Sequence, residues 1–146
     1  YIFLSLFTLF NSYLIGIITS RYDTKILGLA AGITMIITLS LSLYACQTKY
    51  DFTNKAGALL SFLIAIIVIG FINVFIQNSI LNSIYAGLSA FIFSLYIIYD
   101  TQLIVGGKHK KYQYSIDDYV FATISIYLDI INLFIALLQI FDELRS

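Results

Sequence analysis

From Ala56 to Tyr99 the chain carries no charged residue for 44 consecutive positions. As one continuous helix that run would be about 66 Å long, roughly twice the hydrocarbon core of a bilayer. It has to fold back, and the polar string QNSILNS from Gln77 to Ser83 is the expected hairpin. Tyr1–Ser20 and Ile26–Thr48 are also free of charge, and Tyr119–Phe141 is broken only by Asp129. A membrane-crossing helix needs about 20 apolar residues. The sequence therefore predicts an all-α, polytopic transmembrane bundle forming a single domain, with spans at roughly 1–20, 26–48, 56–76, 82–105 and 117–141.

Composition agrees. The chain is 60% hydrophobic and 11% charged, where soluble domains carry about 25% charge. Net charge is zero, so no basic stripe exists to neutralise phosphates, and nucleic acid is not an expected partner. The lipid bilayer is. Cys46 is the single cysteine, which excludes an internal disulfide and cannot by itself make a structural metal site. Tyr1–Ser20 has no basic leader region and no A-x-A cleavage site, so it reads as a span and not as a secretory signal. The chain opens on Tyr1 in mid-hydrophobic sequence and its only methionine is Met35, so further residues are expected before it.

The connections are short. RYDTK (Arg21–Lys25) and KYDFTNK (Lys49–Lys55) are compact charged turns, and GGKHKKYQYSIDD (Gly106–Asp118) is the longest. Its Gly-Gly suits a helix C-terminus that needs a positive φ. Ser115 with Asp118 forms a capping-box-like start for the last helix, and Asp117 and Asp118 are read as caps complementing its dipole. If every span crosses, one face carries Lys49, Lys55, Lys108, Lys110 and Lys111, and the other carries Arg21, Lys25 and Arg145. The positive-inside rule places the lysine-rich face in the cytoplasm. Tyr44, Tyr50, Tyr112, Tyr114 and Tyr119 lie near it as expected interfacial anchors, and Cys46 just inside it as a small packed residue. Gly28 with Gly32, and the series Ser12, Gly16 and Ser20, follow small-residue patterns that permit close helix approach and also arise by chance.

Two aspartates stand out. A charge at the centre of a membrane helix costs roughly 2.5–3.5 kcal/mol on insertion scales. Asp100 lies about 9 Å from the helix end at Gly106, and Asp129 about 15 Å in from the same face. Their helices are consecutive and antiparallel, so the two acids are expected to meet. Ser125, Asp129, Asn132 and Gln139 fall on one helical face. Tyr96 lies one turn from Asp100, and Gln102 is nearby. With Thr34, Thr38 and Ser42 of the second span, these residues predict an inward polar seam. Two carboxyls held together in a poorly solvated site cannot both ionise cheaply and hold a proton between them. Such a pair is a proton-sensitive latch and, when ionised, a candidate oxygen ligand set for Ca²⁺. The plainer alternative is two protonated acids, each hydrogen-bonded to a neighbouring helix.

Enzyme classes fit poorly. The only histidine, His109, sits in a lysine-rich loop and cannot complete an H-E-x-x-H site. Ser89 in GLSA lacks the G-x-S-x-G context. An intramembrane aspartyl protease would carry its second acid in G-x-G-D, and here the context is YLDIIN.

IYDTQLIVGG from Ile98 and SIDDYVFATISIYLDIINLFIALLQI from Ser115 resemble the signature end of the Bax-inhibitor/Lifeguard family, the transmembrane BAX inhibitor motif proteins. CQTKYDFT at 46–53 resembles that family's turn between its fourth and fifth helices. The resemblance runs along essentially the whole chain and implies the last five helices of a seven-helix fold. It implies a pH-sensitive Ca²⁺ leak in an intracellular membrane, of the endoplasmic reticulum or Golgi, associated with restraint of cell death. It also implies that Asp100 and Asp129 form a di-aspartyl pH sensor, with acidification associated with opening, and that the 49–55 and 106–118 turns are cytosolic. No cofactor is implied beyond Ca²⁺ as the transported ion. One departure stands: the family's sensor leans on a basic residue from an early helix, and no span here offers one. The rival expectation is a non-conducting accessory subunit among membrane-protein neighbours, for example in the mitochondrial inner membrane.

Overall fold

The computed structural model describes residues 2–20, 22–48, 50–106, 115 and 118–145. Within them the chain forms α1 (Ile2–Thr19), α2 (Thr24–Gln47), α3 (Ala56–Ile76), α4 (Ser79–Val105) and α5 (Tyr119–Arg145), with no strand. Lipid offers no partner for a backbone N–H or C=O, so apolar segments of this length satisfy themselves as helices. All five helices are long and apolar enough to cross a membrane. Arg21, Lys49, Gly107, Lys108, His109, Lys110, Lys111, Tyr112, Tyr114 and Asp117, which carried part of the orientation, loop and cap readings, lie outside the described residues.

Local chemistry sets the helix ends. Asp23 caps α2, its carboxylate accepting from the Lys25 N–H at 3.2 Å. The expected hairpin over Gln77–Ser83 is in fact two residues, Gln77 and Asn78, because Ser79–Ser83 are already helical. Gln77 takes the left-handed conformation that ends α3 (φ 52°). Asn78 then caps α4, its Oδ1 accepting from the Ile80 N–H at 2.8 Å, so the polar string starts a helix at once. Gly106 ends α4 at φ 69°, and its N–H donates to the Gln102 carbonyl at 2.7 Å. Before α5, the Ser115 N–H and hydroxyl both donate to Asp118 Oδ2, at 3.1 and 2.9 Å. That is the returning half of a capping box.

α4 pairs most extensively with α5, α2 packs against both, and α3 lies on α4. The core gathers Ile26 and Ala30 from α2, Ile97 from α4, and Leu133, Leu137 and Leu138 from α5. Phe10, Met35, Phe71, Phe75 and Phe91 point outward and are exposed; in water such a surface would drive association, whereas in lipid it is solvated. No residue of α1 is buried, and its Phe7 ring meets Tyr127 of α5 edge-on at 6.0 Å. The connections alternate ends. Gln102 near the end of α4 bonds the 48–54 turn, while Glu143 near the end of α5 bonds the start of α4.

The small-residue patterns are not packing seams: a Cβ at Gly16, Gly28 or Gly32 would meet nothing within 4 Å. Gly70 is the tight approach, where a Cβ would sit 2.9 Å from Cε1 of Tyr85 on α4. Gly70→Ala is therefore expected to displace the Tyr85 ring at a cost of about 1 kcal/mol. Thermal unfolding in detergent should show that penalty vanish in a Tyr85→Ala background.

Candidate functional site

Antiparallel packing of α4 on α5 buries both aspartates. Ile97, one turn before Asp100, and Leu133, one turn after Asp129, are fully buried, and residues three or four apart share a helix face. The same packing that seats these aliphatics turns the acids inward. Asp100 is 4% exposed and Asp129 6%.

Their carboxyl groups lie within hydrogen-bonding reach of each other. An ionised carboxylate only accepts, so this contact requires a proton on one partner. Asp129 Oδ2 is buried with no hydrogen-bond partner. Tyr96 lies within electrostatic reach of both acids and Tyr99 of Asp100, the two rings meeting edge-on at 6.1 Å. No lysine or arginine occurs between Ile26 and Thr48, between Ala56 and Tyr99, or between Tyr119 and Phe141. Two carboxyls offer two oxygens each, short of the 6–8 oxygen ligands Ca²⁺ prefers.

The rest of the expected polar seam is less united. Asp100, Asp129 and Tyr96 come together. Asn132 turns back on its own helix, its Nδ2 donating to the Leu128 carbonyl at 2.7 Å, and Ser125 and Gln139 are partly buried. On α2, Thr34 donates to the Ala30 carbonyl at 2.7 Å, while the buried Thr38 hydroxyl has no partner. Both line an apolar groove of about 430 Å³ between α2 and α5, with Met35, Ile130 and Phe134.

Gln102 serves differently from the seam role expected of it. Its Oε1 accepts from the Phe52 N–H at 2.7 Å, and its Nε2 donates to the carbonyls of Tyr50 at 3.0 Å and Ala45 at 3.3 Å. Two residues on from Asp100, it is rotated about 200° around the helix, which points it at the α2–α3 turn.

Sequence reasoning missed a second polar cluster, at the opposite end of the bundle. Ser79 Oγ and Asn82 Nδ2 donate to the Glu143 carboxylate at 3.1 and 2.8 Å. Asn73 Nδ2 donates to Asn82 Oδ1 at 3.2 Å, so one network ties α3, α4 and α5 beside a cavity of about 450 Å³. The only sequence signal was the string of amides flanking the hairpin.

The whole chain, residues 1–146, matches the family model described as "Inhibitor of apoptosis-promoting Bax1". Among curated relatives, Protein lifeguard 3 of Homo sapiens is 35% identical over 146 residues, covering 97% of this chain and 46% of that protein. Protein lifeguard 3 of Mus musculus is 34% identical over 143 residues, covering 95% and 46%. An uncharacterized protein of Helicobacter pylori is 38% identical over 127 residues, covering 87% and 52%. The chain spans about half the length of these relatives. Matched to the family model from end to end and built of five membrane-length helices, it belongs to the Bax-inhibitor/Lifeguard family of multi-pass membrane proteins, a family associated with the regulation of apoptosis.

Proposed function

We propose that this chain contributes to a pH-sensitive Ca²⁺ leak of an intracellular membrane, the endoplasmic reticulum or Golgi, serving calcium homeostasis that restrains cell death, with Asp100 and Asp129 as its proton latch. One observation carries this reading: two buried carboxyls on different helices lie within hydrogen-bonding reach of each other. A contact that needs a proton is lost when both groups ionise, and with it one tie between α4 and α5. Taken alone, this geometry loosens the α4–α5 tie as pH rises, the opposite sense to the acid-associated opening that the family resemblance implies, and the sign of the efflux change decides between them. Catalysis plays no part in this reading.

A second reading, a non-conducting subunit docked among membrane-protein neighbours, for example in the mitochondrial inner membrane, is favoured by α1, which buries none of its residues. Ca²⁺ efflux from liposomes holding the full-length protein separates the two. The assay is run at about pH 6 and about pH 8, either side of neutrality, with and without Asp100→Asn plus Asp129→Asn. Efflux that depends on pH in the parent and loses that dependence in the double variant is the expected result. No efflux at either pH sinks the leak and leaves the acids as hydrogen-bonding groups of a docking subunit.

A further inference from the structure

The described residues of the α2–α3 turn, 48 and 50–54, make more contacts than a charged connection between two membrane helices needs. Thr53 is 1% exposed. Asp51 Oδ1 accepts from the Thr53 N–H at 2.9 Å and from the Thr53 hydroxyl, and the Tyr50 N–H donates to Thr48 Oγ1 at 3.2 Å. The Phe52 ring packs edge-on against Tyr50 at 4.8 Å and Tyr44 at 6.3 Å. This small folded unit is joined to α4 by Gln102, which is itself 1% exposed. Its amide makes three bonds, all to backbone 50 to 57 residues away in sequence.

We propose that Gln102 is a positioning residue that couples the Asp100–Asp129 pair to the seating of the 48–54 turn. This rests on the latch reading above and adds the element that the latch moves. Gln102 lies about 3 Å along the helix axis from Asp100, so any slide or rotation of α4 that accompanies loss of the acid contact displaces the amide by a similar distance. Hydrogen bonds weaken steeply beyond their normal length and angle, and three bonds that share one planar amide lose alignment together. The turn then unseats and Thr53 becomes accessible from the face that the turn occupies. A leucine at 102 would fill the space and remove all three bonds, which separates this role from simple packing.

Among the described residues the titratable surroundings are few. α4 brings Tyr96 and Tyr99, α5 brings Tyr127, and α3 has no titratable residue from Ala56 to Ile76. The end of α2 brings Tyr44 and Cys46, and the turn brings Tyr50, Asp51 and Lys55, with the Lys55 ammonium 5.8 Å from the Tyr50 ring centre. Asp142 and Glu143 lie at the far end of α5, where Glu143 bonds the start of α4, so Asp100, Asp129 and the turn's own Asp51 are the described carboxyls on the clamp's side of the bundle.

The test is thiol accessibility in the full-length protein in liposomes, with Cys46→Ser and any other native cysteine replaced, carrying either Thr53→Cys or Asn54→Cys. A membrane-impermeant maleimide is added on the face of the turn. Gln102→Leu is expected to speed labelling at 53 about tenfold, the equilibrium shift for net loss of one buried hydrogen bond. Labelling at 54, which is exposed, should not change. Labelling at 53 is also expected to differ several-fold between about pH 6 and about pH 8, and to lose that dependence with Asp100→Asn plus Asp129→Asn. Should Gln102→Leu fail to insert, Gln102→Glu keeps the acceptor for Phe52, loses both donated bonds, and gives the same comparison. Unchanged labelling at 53 in the Gln102 variants overturns the clamp, and pH-indifferent labelling overturns its coupling to the acids. Labelling does not require conduction: liposomes that never leak but show acid-dependent labelling defeat the leak alone, and a pH-dependent leak with an indifferent turn defeats the clamp alone.

Discussion

Replacing Asp129 alone by leucine is expected to destabilise the bundle by about 1–3 kcal/mol, the cost of leaving a buried polar group without its partner. Replacing Asp100 and Asp129 together by leucine is expected to cost less than either single change. The reason is the geometry of the pair: both carboxyls are almost fully buried and lie within hydrogen-bonding reach of each other. Removing one strands the other among Ile97 and Leu133, whereas removing both leaves an apolar contact between helices that already pack closely. Interhelical hydrogen bonds in membranes show coupling energies of about 0.6 kcal/mol on average and up to about 1.7, so a four-cornered cycle of thermal unfolding in detergent resolves the effect. Strictly additive single changes would mean that the acids do not depend on each other. Asp129→Asn adds a second distinction: its amide donates to Asp100 without a titrating proton, so stability is expected to survive while the pH response of the leak does not.

What the residues disclosed follows the physics of the solvent. Lipid makes charge expensive and unpaired backbone intolerable, so charge-free runs marked the five helices, and an aspartate in an apolar run marked a candidate site. The antiparallel depth argument brought Asp100 to Asp129 because consecutive spans joined by one turn must share an end. Helix ends were less legible. Ser79–Ser83 looked like a hairpin because serine and asparagine favour turns, yet asparagine is equally a helix cap, and Asn78 takes that role. Gly28 and Gly32 look like a packing motif but face open space, while the isolated Gly70 meets a ring; spacing cannot tell which face of an apolar helix finds a neighbour. Gln102 bonds backbone 50 and more residues away, and no local pattern encodes a partner at that distance.

Glu143 shows the same blindness and has a comparable energetic consequence. It sits near the end of α5, where a carboxylate would ordinarily be read as a solvated charge. Here it receives Ser79 and Asn82 from the start of α4, and Asn82 in turn receives Asn73 from the end of α3. Hydrogen bonds to a charged acceptor contribute more than neutral ones, discounted where water reaches the group. Glu143→Leu is therefore expected to cost about 1–2 kcal/mol in detergent unfolding. Glu143→Gln keeps one acceptor oxygen and is expected to lose less than half as much. Asn82→Leu should be strongly non-additive with Glu143→Leu, because each removes the other's bond. Independent effects would show that the three helix ends are held by packing alone. Non-additivity would place a polar tie at this end of the bundle, anchoring the start of α4 to α5 through Glu143.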